Sequence, residues 1–359
     1  MKKLLRQKIG GLSLFVGLLV LLAYLATPPT APPGIGPGLT GTEMLRYLTQ
    51  AVCLDAAGVP TNLLPIDPAC ANRRPQAMGD DAVYRKHDWP DSTDPRRPMT
   101  GYQASDSVVL TVDHRDFVVQ TFDFGDTTRS FGRFDEGQGD GGQVLLLVDG
   151  WASAAMTEDG GDGVQWFIGE DCRAAPESAR RFLSWRMFRD DVSADRWHDI
   201  VTRLNKSRSA DSCPRAFNAA YTRYRLERLR FPFRIVGPSG EAIVENHPLE
   251  VVISEHYGGG SIDTADHLER FFFARDLGLL RWERWANPAI SRQPDIAGSA
   301  DRMDRSGRCP KLDFRGATDT TWLLVDCRIW TTLVRPAETW TVSRYDWKAL
   351  EAIERLRAE

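Results

Sequence analysis

The chain contains 359 residues, of which 42% are hydrophobic and 26% are charged, and its formal net charge at pH 7 is −4. A chain of this length can bury a sizeable core as one large domain or two ordinary ones. Its apolar and aromatic content excludes a disordered or collagen-like protein. All the charged side chains in residues 1–26 are basic, so the rest of the chain is more acidic than the whole. This acidic balance argues against a nucleic-acid partner.

The first 26 residues predict a membrane anchor. Basic residues, the last of them Lys8, precede an uncharged and mostly apolar run from Ile9 to Ala26. This run is long enough to span a bilayer and longer than the apolar core of an ordinary signal peptide. Tyr24 lies where signal cleavage after Ala26 would require a small residue, so we expect an uncleaved transmembrane helix. Positive charge ahead of the span places the rest of the chain outside the cytoplasm.

The predicted topology is a single-pass protein of the inner membrane with most of the chain in the periplasm. If the N-terminal segment is cleaved instead, the protein is secreted. Residues 27–41 are rich in proline and glycine, which predicts a semi-extended linker. Residues 42–359 are expected to form a single extracytoplasmic domain rich in β structure.

The cysteines agree with export. All of them lie beyond the predicted anchor, at Cys53, Cys70, Cys172, Cys213, Cys309 and Cys327. An even number of cysteines in an oxidising compartment predicts a disulfide framework. We expect pairing between sequence neighbours, as Cys53–Cys70, Cys172–Cys213 and Cys309–Cys327. No C-x-x-C pair occurs, so the sequence predicts no zinc cluster.

The elements after the linker begin with one helix and continue mostly as strands. Thr40 and Glu43 fit a capping box for the first helix, which we expect to carry Cys53 and to end near Gly58. From Ser107 onwards, short apolar runs are bounded by glycine or aspartate clusters. These runs, which predict strands, are VVLTV, FVVQTFDF, QVLLLVDG, WASAAMTE and VQWFIG.

The second half of the chain continues this pattern with helices at its margins. Residues 177–188 favour a strand, and Ser193 is expected to cap a helix that carries Trp197 and Leu204 on one face. Strand signals return over 221–237, 241–257 and 268–286, and again in TWLLVDCRIWTTL and TWTVSRY before a short terminal helix. The predicted fold is mainly β, an antiparallel β-sandwich or jelly-roll-like domain with short peripheral helices.

One glycine–aspartate loop has two interpretations. Asp159 and Asp162 lie in the stretch DGGDG between two predicted strands, which is typical of a hairpin turn. The same carboxylates could hold Ca²⁺, which prefers oxygen ligands, but the spacing of a calcium loop is missing. No other cofactor is expected.

The segment from Glu255 to Trp285 contains the candidate site. The run LERFFFAR, the loop Asp276-Leu277-Gly278 and the run LLRWERW predict a hairpin. If Arg275 pairs with Leu279, strand periodicity places one set of side chains on the same face. This set comprises Glu269, Phe271, Phe273, Arg275, Leu279, Arg281, Glu283 and Trp285. Rings mixed with carboxylates and guanidinium groups are typical of a sugar-binding groove.

Candidate roles follow from this predicted face. Glu269 and Glu283 could act as acid and base at a glycosidic bond, and His256 and Tyr257 could transfer protons at the groove edge. The predicted ligand-binding residues are Arg275, Arg281, Trp285 and Glu255. The alternative is an ordinary sheet in which arginine–glutamate ladders and packed rings serve the fold alone.

Three hypotheses about function follow. The first is a membrane-anchored envelope protein that binds or processes a glycan; if it is an enzyme, the expected activity is that of a glycoside hydrolase or polysaccharide lyase. The second is a non-catalytic structural or assembly protein of the cell envelope that binds another protein. The third is a hydrolase of another class. An open aromatic cleft beside Glu269 and Glu283 would favour the first hypothesis, and a fully packed face would favour the second.

Overall fold

Strands account for most of the computed structural model. The structure describes residues 39–77, 80, 84–87, 104–112, 114–123, 142–148, 150–155, 165–168, 173–174, 186–207 and 217–335. The chain divides into two compact units, Met1–Gly38 and Leu39–Glu359, and every described residue belongs to the second. The predicted anchor over residues 1–26 lies outside the described residues. Within them, no helix is both long and apolar enough to cross a membrane.

Two helices and seventeen strands are defined in the described ranges. The helices are α1 (Gly41–Leu48) and α2 (Ile296–Ser306). The first nine strands are β1 (Ala51–Leu54), β2 (Asn72–Pro75), β3 (Arg85–His87), β4 (Ala104–Val112), β5 (Arg115–Asp123), β6 (Gly142–Val148), β7 (Trp151–Ala155), β8 (Gln165–Ile168) and β9 (Arg173–Ala174). The others are β10 (Arg186–Arg189), β11 (His198–Ser207), β12 (Phe217–Val236), β13 (Ala242–Tyr257), β14 (His267–Ala274), β15 (Gly278–Ala286), β16 (Leu323–Ile329) and β17 (Thr332–Val334).

One large sheet contains all the strands except β1 and β2. Its main path runs β10-β7-β6-β5-β4-β3-β17-β12-β13-β14-β15-β16, and β11, β8 and β9 branch from β12. The described pairs are antiparallel apart from β12 with β17, which are parallel. The prediction of a mainly antiparallel β protein with few helices is therefore confirmed. Consecutive strands are mostly neighbours because short turns favour antiparallel pairing.

The first helix confirms its predicted cap but is shorter than expected. Thr40 accepts a hydrogen bond from the Glu43 backbone, and the Glu43 side chain accepts one from the Thr40 backbone. The helix ends at Leu48, because the next residues become extended and β1 pairs with β2. The prediction that Cys53 belongs to the helix is therefore wrong, since Cys53 lies on β1.

The predicted helix after Ser193 is also wrong. Residues from His198 onwards form strand β11, which pairs with β12 on one side and with β8 on the other. The apolar spacing that favoured a helix also fits a strand held between two others, and here sheet pairing decides the conformation. Helix α2, which the sequence analysis did not predict, precedes β16. The predicted terminal helix lies outside the described residues.

Two of the three predicted disulfides are present. Cys53 and Cys70 are bonded with a Cα–Cα distance of 5.5 Å, and Cys309 and Cys327 with one of 6.0 Å. Cys172 and Cys213 lie outside the described residues, so their pairing stays a prediction. The Asp159 and Asp162 loop lies outside them as well.

The tip of the β14–β15 hairpin is fixed against α1. The Asp276 carboxylate accepts hydrogen bonds from Arg46 Nε and Nη2, each at 2.6 Å, and from Arg73 Nη1 at 3.2 Å. Gly278 has a φ of +70°. A Cβ there would lie 3.1 Å from the carbonyl oxygen of Leu48, so the helix end and the hairpin approach each other closely where glycine allows it. This docking fixes the position of the hairpin that carries the candidate site.

Candidate functional site

The hairpin register differs from the predicted one. The loop comprises residues 275–277, Ala274 pairs with Gly278, and a bulge shifts the register between Phe272 and Phe273. Beyond the bulge, Arg270 pairs with Glu283 and Glu269 pairs with Arg284. The prediction that Glu269 and Glu283 share a face is therefore wrong, because a one-residue change of register exchanges the two faces of a strand.

A row of charged side chains crosses the sheet at this point. In register across β12 to β16, Arg223 pairs with Glu255, Glu255 with Arg270, Arg270 with Glu283, and Glu283 with Cys327. Directly paired residues share a face, so these side chains alternate in charge along one surface. We call the ionic cluster the set formed by the charged residues of this row and two further contacts: Arg223, Glu255, Arg270, Arg281, Glu283 and Asp319.

Arg270 is the centre of the ionic cluster, and its side chain is only 1% exposed. Its Nε donates to Glu255 Oε1 at 2.8 Å, and its Nη1 donates to Glu283 Oε2 at 2.9 Å. Its Nη2 donates to Asp319 Oδ1 at 2.6 Å. A buried guanidinium that meets three carboxylates has its charge compensated, and each of its three nitrogens donates to a carboxylate.

The remaining members neutralise those carboxylates in turn. Arg223 Nε donates to Glu255 Oε2 at 2.5 Å, and Arg281 Nε donates to Glu283 Oε1 at 2.6 Å. The cluster therefore has three positive and three negative side chains. Each carboxylate is already bound by at least one guanidinium, which leaves little capacity for a ligand charge.

Neutral side chains complete the hydrogen bonding. The Tyr257 hydroxyl donates to Glu255 Oε2 at 2.8 Å, and Trp285 Nε1 donates to Glu283 Oε2 at 2.8 Å. The guanidinium carbon of Arg270 lies 5.3 Å from the centre of the Trp285 ring. Three predicted ligand-binding residues, Glu255, Arg281 and Trp285, are thus brought together with Glu283 and Tyr257, but they bind one another.

The pKa values reflect this pairing. Burial by itself would raise the pKa of Glu283, but Arg281 and Arg270 outweigh burial and hold that pKa below its usual value. Burial opposes the charge of Arg270, yet Glu255, Glu283 and Asp319 raise its pKa. Burial and the neighbouring Glu255 raise the pKa of Tyr257. Glu283 is therefore ionised and Tyr257 is protonated near neutral pH, so Glu283 is poorly suited to act as a general acid.

A loop closes over the ionic cluster. We call residues 308–322 the covering segment. Its Pro310 carbonyl accepts a hydrogen bond from Arg281 at 2.5 Å, and its Phe314 ring centre lies 5.2 Å from the Arg270 guanidinium carbon. Trp322 packs edge-on against Tyr257. The Cys309–Cys327 disulfide ties this segment to β16 beside Glu283, so the face is covered by the chain itself.

His256 and Glu269 lie on the opposite face of the same strands, where they are paired in register. His256 Nε2 lies 2.8 Å from Ser254 Oγ, whose hydroxyl donates to the Met187 carbonyl. Ser254 therefore accepts from the ring, which is the Nε2–H tautomer. Burial lowers the pKa of His256 to about 3. A neutral, fully buried imidazole has no access to a substrate in this conformation.

Glu269 is separated from the other predicted catalytic carboxylate by the sheet itself. Burial raises the pKa of Glu269, although Arg284 and His267 oppose that rise. Arg275, predicted to bind ligand, lies at the hairpin tip instead, where its Nη1 donates to Glu250 Oε1 at 2.9 Å. The predicted site residues thus fall into three separate places.

Three members of the cluster, Arg223, Arg270 and Asp319, are not among the predicted site residues. Arg270 directly precedes the apolar run Phe271–Ala274, and that position could have marked it as a buried charge needing partners. Arg223 lies on β12 among other arginines, so the sequence gives it no such signal. Asp319 lies on the covering segment, far from them in sequence. Within the described ranges, no group of three or more histidine, cysteine, aspartate or glutamate side chains is arranged to hold a metal ion.

No family model and no curated protein matches the chain. Two solved structures were found. A provisionally assigned lipoprotein from Parabacteroides distasonis is 11% identical, with 60% of this chain and 92% of that chain covered and a TM-score of 0.25. A provisionally assigned exported protein with a YmcC-like fold from Bacteroides fragilis is 14% identical, with 59% and 92% covered and a TM-score of 0.24. Because both TM-scores are low, neither likeness carries a conclusion about this chain.

Removal of the central guanidinium should destabilise the protein strongly. We expect Arg270→Ala to lower the free energy of unfolding by roughly 3–5 kcal/mol, because buried carboxylates lose their counter-charge. Arg270→Lys should cost less, since it keeps the charge without the fork geometry. Denaturant unfolding measures both. Arg305→Ala is the matched control, because Arg305 forms an exposed pair with Asp301 and should change stability little. Equal losses for Arg270→Ala and Arg305→Ala would contradict the central role of the cluster.

The buried histidine should make the protein sensitive to acid. The unfolded chain binds a proton at His256 below about pH 6.5, whereas the folded chain resists protonation until about pH 3. Stability is therefore fully present above pH 6.5 and falls as the pH drops through this window, by about 1.4 kcal/mol per pH unit for one proton. Unfolding measured from pH 7 to pH 4 should show a shallower slope for His256→Gln. The exposed control His114→Asn should keep the wild-type slope; a reduced slope in both variants would refute the assignment.

Proposed function

We propose that the protein is an exported, non-catalytic protein of the cell envelope, held at the membrane by its N-terminal segment and acting by binding another protein. The observation that carries this proposal is the closure of the candidate face. Its charged side chains are buried, mutually neutralised and covered by the chain itself. An active site needs groups that reach a substrate, whereas these groups reach one another.

The separation of the candidate acid and base also supports a non-catalytic role. A pair of carboxylates that cleaves a glycosidic bond must flank that bond from one cavity. Glu283 and Glu269 point to opposite faces of β14 and β15. The two disulfides formed in the described part of the chain suit an oxidising compartment, in agreement with the basic and apolar N-terminal run.

The sandwich-like arrangement is part of the same proposal. Core clusters are packed on both faces of the central strands, one around Phe271 and Phe273 and the other around Phe231 and Phe272. A sheet covered on both faces offers its edges and loops for contact with other molecules.

Export of the chain can be tested with a topology reporter. A periplasm-specific enzyme fused after residue 45 of the full N-terminal segment should be active in a bacterial host, because the basic residues stay inside and the chain is translocated. The control replaces part of the apolar run with charged residues, which should abolish reporter activity. An inactive unmodified fusion that is nevertheless expressed at full length would contradict export.

Binding to an envelope protein needs its own measurement. Chemical cross-linking in intact cells that express the full-length chain should give a discrete product containing another envelope protein. The purified chain should hydrolyse no polysaccharide substrate. Turnover that disappears in Glu283→Gln would overturn the non-catalytic assignment, because that change keeps the shape and removes the ionisable group.

Glycan binding is the second candidate, and two tryptophans favour it. Trp197 and Trp285 are half-buried at the margins of the ionic cluster, where Arg223 lies 4.3 Å from the Trp197 ring and Arg270 lies 5.3 Å from the Trp285 ring. Exposed parts of such rings could stack on sugar C–H surfaces.

The substitution Trp285→Ala separates the two candidates. If the ring serves packing, the melting temperature should fall. The free energy of unfolding should drop by less than the roughly 3–5 kcal/mol that loss of a fully buried ring costs, because Trp285 is only half-buried. Polysaccharide binding, measured by affinity electrophoresis, should then be absent from both wild type and variant. Weaker polysaccharide binding at an unchanged melting temperature would favour the glycan candidate instead.

A further inference from the structure

Among the described residues, strand β13 has an unpaired edge over half of its length. Along one edge it pairs with β12 from Ala242 to Tyr257, but along the other edge β14 pairs only from Val251 onwards. None of the described strands pairs with residues 242–249 on that second edge. An exposed strand edge presents unpaired backbone donors and acceptors, which is a template for an additional strand.

The backbone pattern identifies which groups point outwards. In an antiparallel strand, each residue points its N–H and its carbonyl group toward the same neighbouring strand. The next residue along the chain points both groups toward the opposite neighbour. Gly237 N–H donates to the Glu241 carbonyl across the turn, whereas the Glu250 carbonyl accepts from Arg275, on the side of β14. Odd-numbered residues of β13 therefore face β12, and even-numbered residues face the unpaired edge. Two prolines agree with this alternation, since Pro232 and Pro248 both occupy positions that need no N–H toward the partner strand.

The unpaired edge is also exposed, and it is apolar near its start. Ile243 is 52% exposed and Val244 is 62% exposed, and they are neighbours on the strand. Val244 and Asn246 direct their N–H and carbonyl groups outwards, and their own side chains are short. A strand added here would pair with these groups and cover the two aliphatic side chains.

A basic stripe runs beside this edge. On β12 the residues paired with the even-numbered positions include Arg230, opposite Pro248, and Arg234, opposite Val244. Arg230 is exposed and Arg234 is half-buried. Neither forms an ion pair with any other residue in the described ranges. An added strand would lie two strand spacings, roughly 10 Å, from β12, a distance that an arginine and a glutamate side chain can bridge together.

The positive charge of Arg230 and Arg234 determines which kind of strand can pair with this edge. A second copy of this chain, paired through the same edge, would bring its own arginines to the same face of the joined sheet. Some registers of that pair would also place Glu245 opposite its equivalent, and like charges directly opposite are destabilising. An acidic segment would instead find opposite charges on the face that carries Arg230 and Arg234, and apolar contact at Ile243 on the other face.

We propose that β13 accepts an extended, acidic segment of another protein as an additional strand along residues 242–248, with its acidic side chains facing Arg230 and Arg234. This inference rests on the proposed protein-binding function and names the place and the partner chemistry. Main-chain hydrogen bonds supply affinity, and the arginine stripe supplies preference for acidic sequences.

Two synthetic peptides test the partner chemistry against the full-length chain in detergent. One alternates valine with glutamate over about nine residues, a typical strand length, and the other alternates valine with lysine. Fluorescence anisotropy should show the acidic peptide binding at least about tenfold more tightly, with affinity that falls as salt screens the charges. Backbone hydrogen exchange should slow at Val244 and Asn246 when the acidic peptide binds.

Variants of the edge and of the stripe test the geometry. Val244→Pro removes an outward N–H without touching the ladder to β12, so it should weaken binding about tenfold while the melting temperature stays close to that of Val244→Thr, the matched control. The double variant Arg230→Glu, Arg234→Glu should reverse the preference between the two peptides. Arg292→Glu makes the same kind of charge change at a distant exposed arginine and should leave the preference unchanged.

Several outcomes would overturn the inference. Equal binding of both peptides would contradict the preference for an acidic partner. Unaltered peptide binding by Val244→Pro would contradict binding at the strand edge. A concentration-dependent dimer in sedimentation that Val244→Pro abolishes would assign the edge to a second copy. If cross-linking in cells to an envelope protein persists in Val244→Pro, this inference fails while the proposed function stands. If no variant, nor the wild type, cross-links to an envelope protein, the proposed function itself fails.

Discussion

The neutralisation of Arg270 is the constraint on which this part of the structure depends. Its guanidinium contacts Glu255 on β13, Glu283 on β15 and Asp319 on the covering segment, so three elements must be in place at once. Loss of any one contact would leave a covered guanidinium donor without its acceptor, which costs more than losing a surface pair. A network of this kind favours one arrangement of strands over others, because alternative registers cannot satisfy it.

The row of alternating charges connects strand pairing to the covering segment. At one end of the row Arg223 lies beneath Trp197, and at the other end Cys327 forms the disulfide with Cys309. The same register that pairs Glu283 with Cys327 brings the tethered segment over Glu283. The covering segment is therefore held in three ways: by the Cys309–Cys327 disulfide, by the ion pair of Asp319 with Arg270, and by packing of its aromatic rings. The closed face that results is what separates this site from an open ligand groove.

The strands and the first helix cap could be predicted from the sequence because periodicity and capping act locally. Short apolar runs bounded by turn residues located β4 to β7 and strand signals located β12 to β15, and Thr40 with Glu43 located the start of α1. The hairpin faces could not be predicted, since they depend on a bulge between Phe272 and Phe273 that no local pattern encodes. The helix predicted after Ser193 is wrong for a related reason. The residues from His198 onwards form a strand because β8 and β12 pair with them on either side. The partners of Arg270 required the tertiary structure, because Asp319 is distant in sequence.

Gly316 shows how the cluster restricts a position outside the sheet. A Cβ at Gly316 would lie 1.9 Å from Arg270 Nη2 and 2.8 Å from Asp319 Oδ1. An arginine tip can normally move aside, but this one is held by three carboxylates, so even alanine would displace the central charge. Loop positions usually tolerate substitution. In a saturation mutagenesis of this chain, Gly316 would therefore stand out as an intolerant site within a tolerant loop, and its intolerance would report on a charge buried on a neighbouring strand.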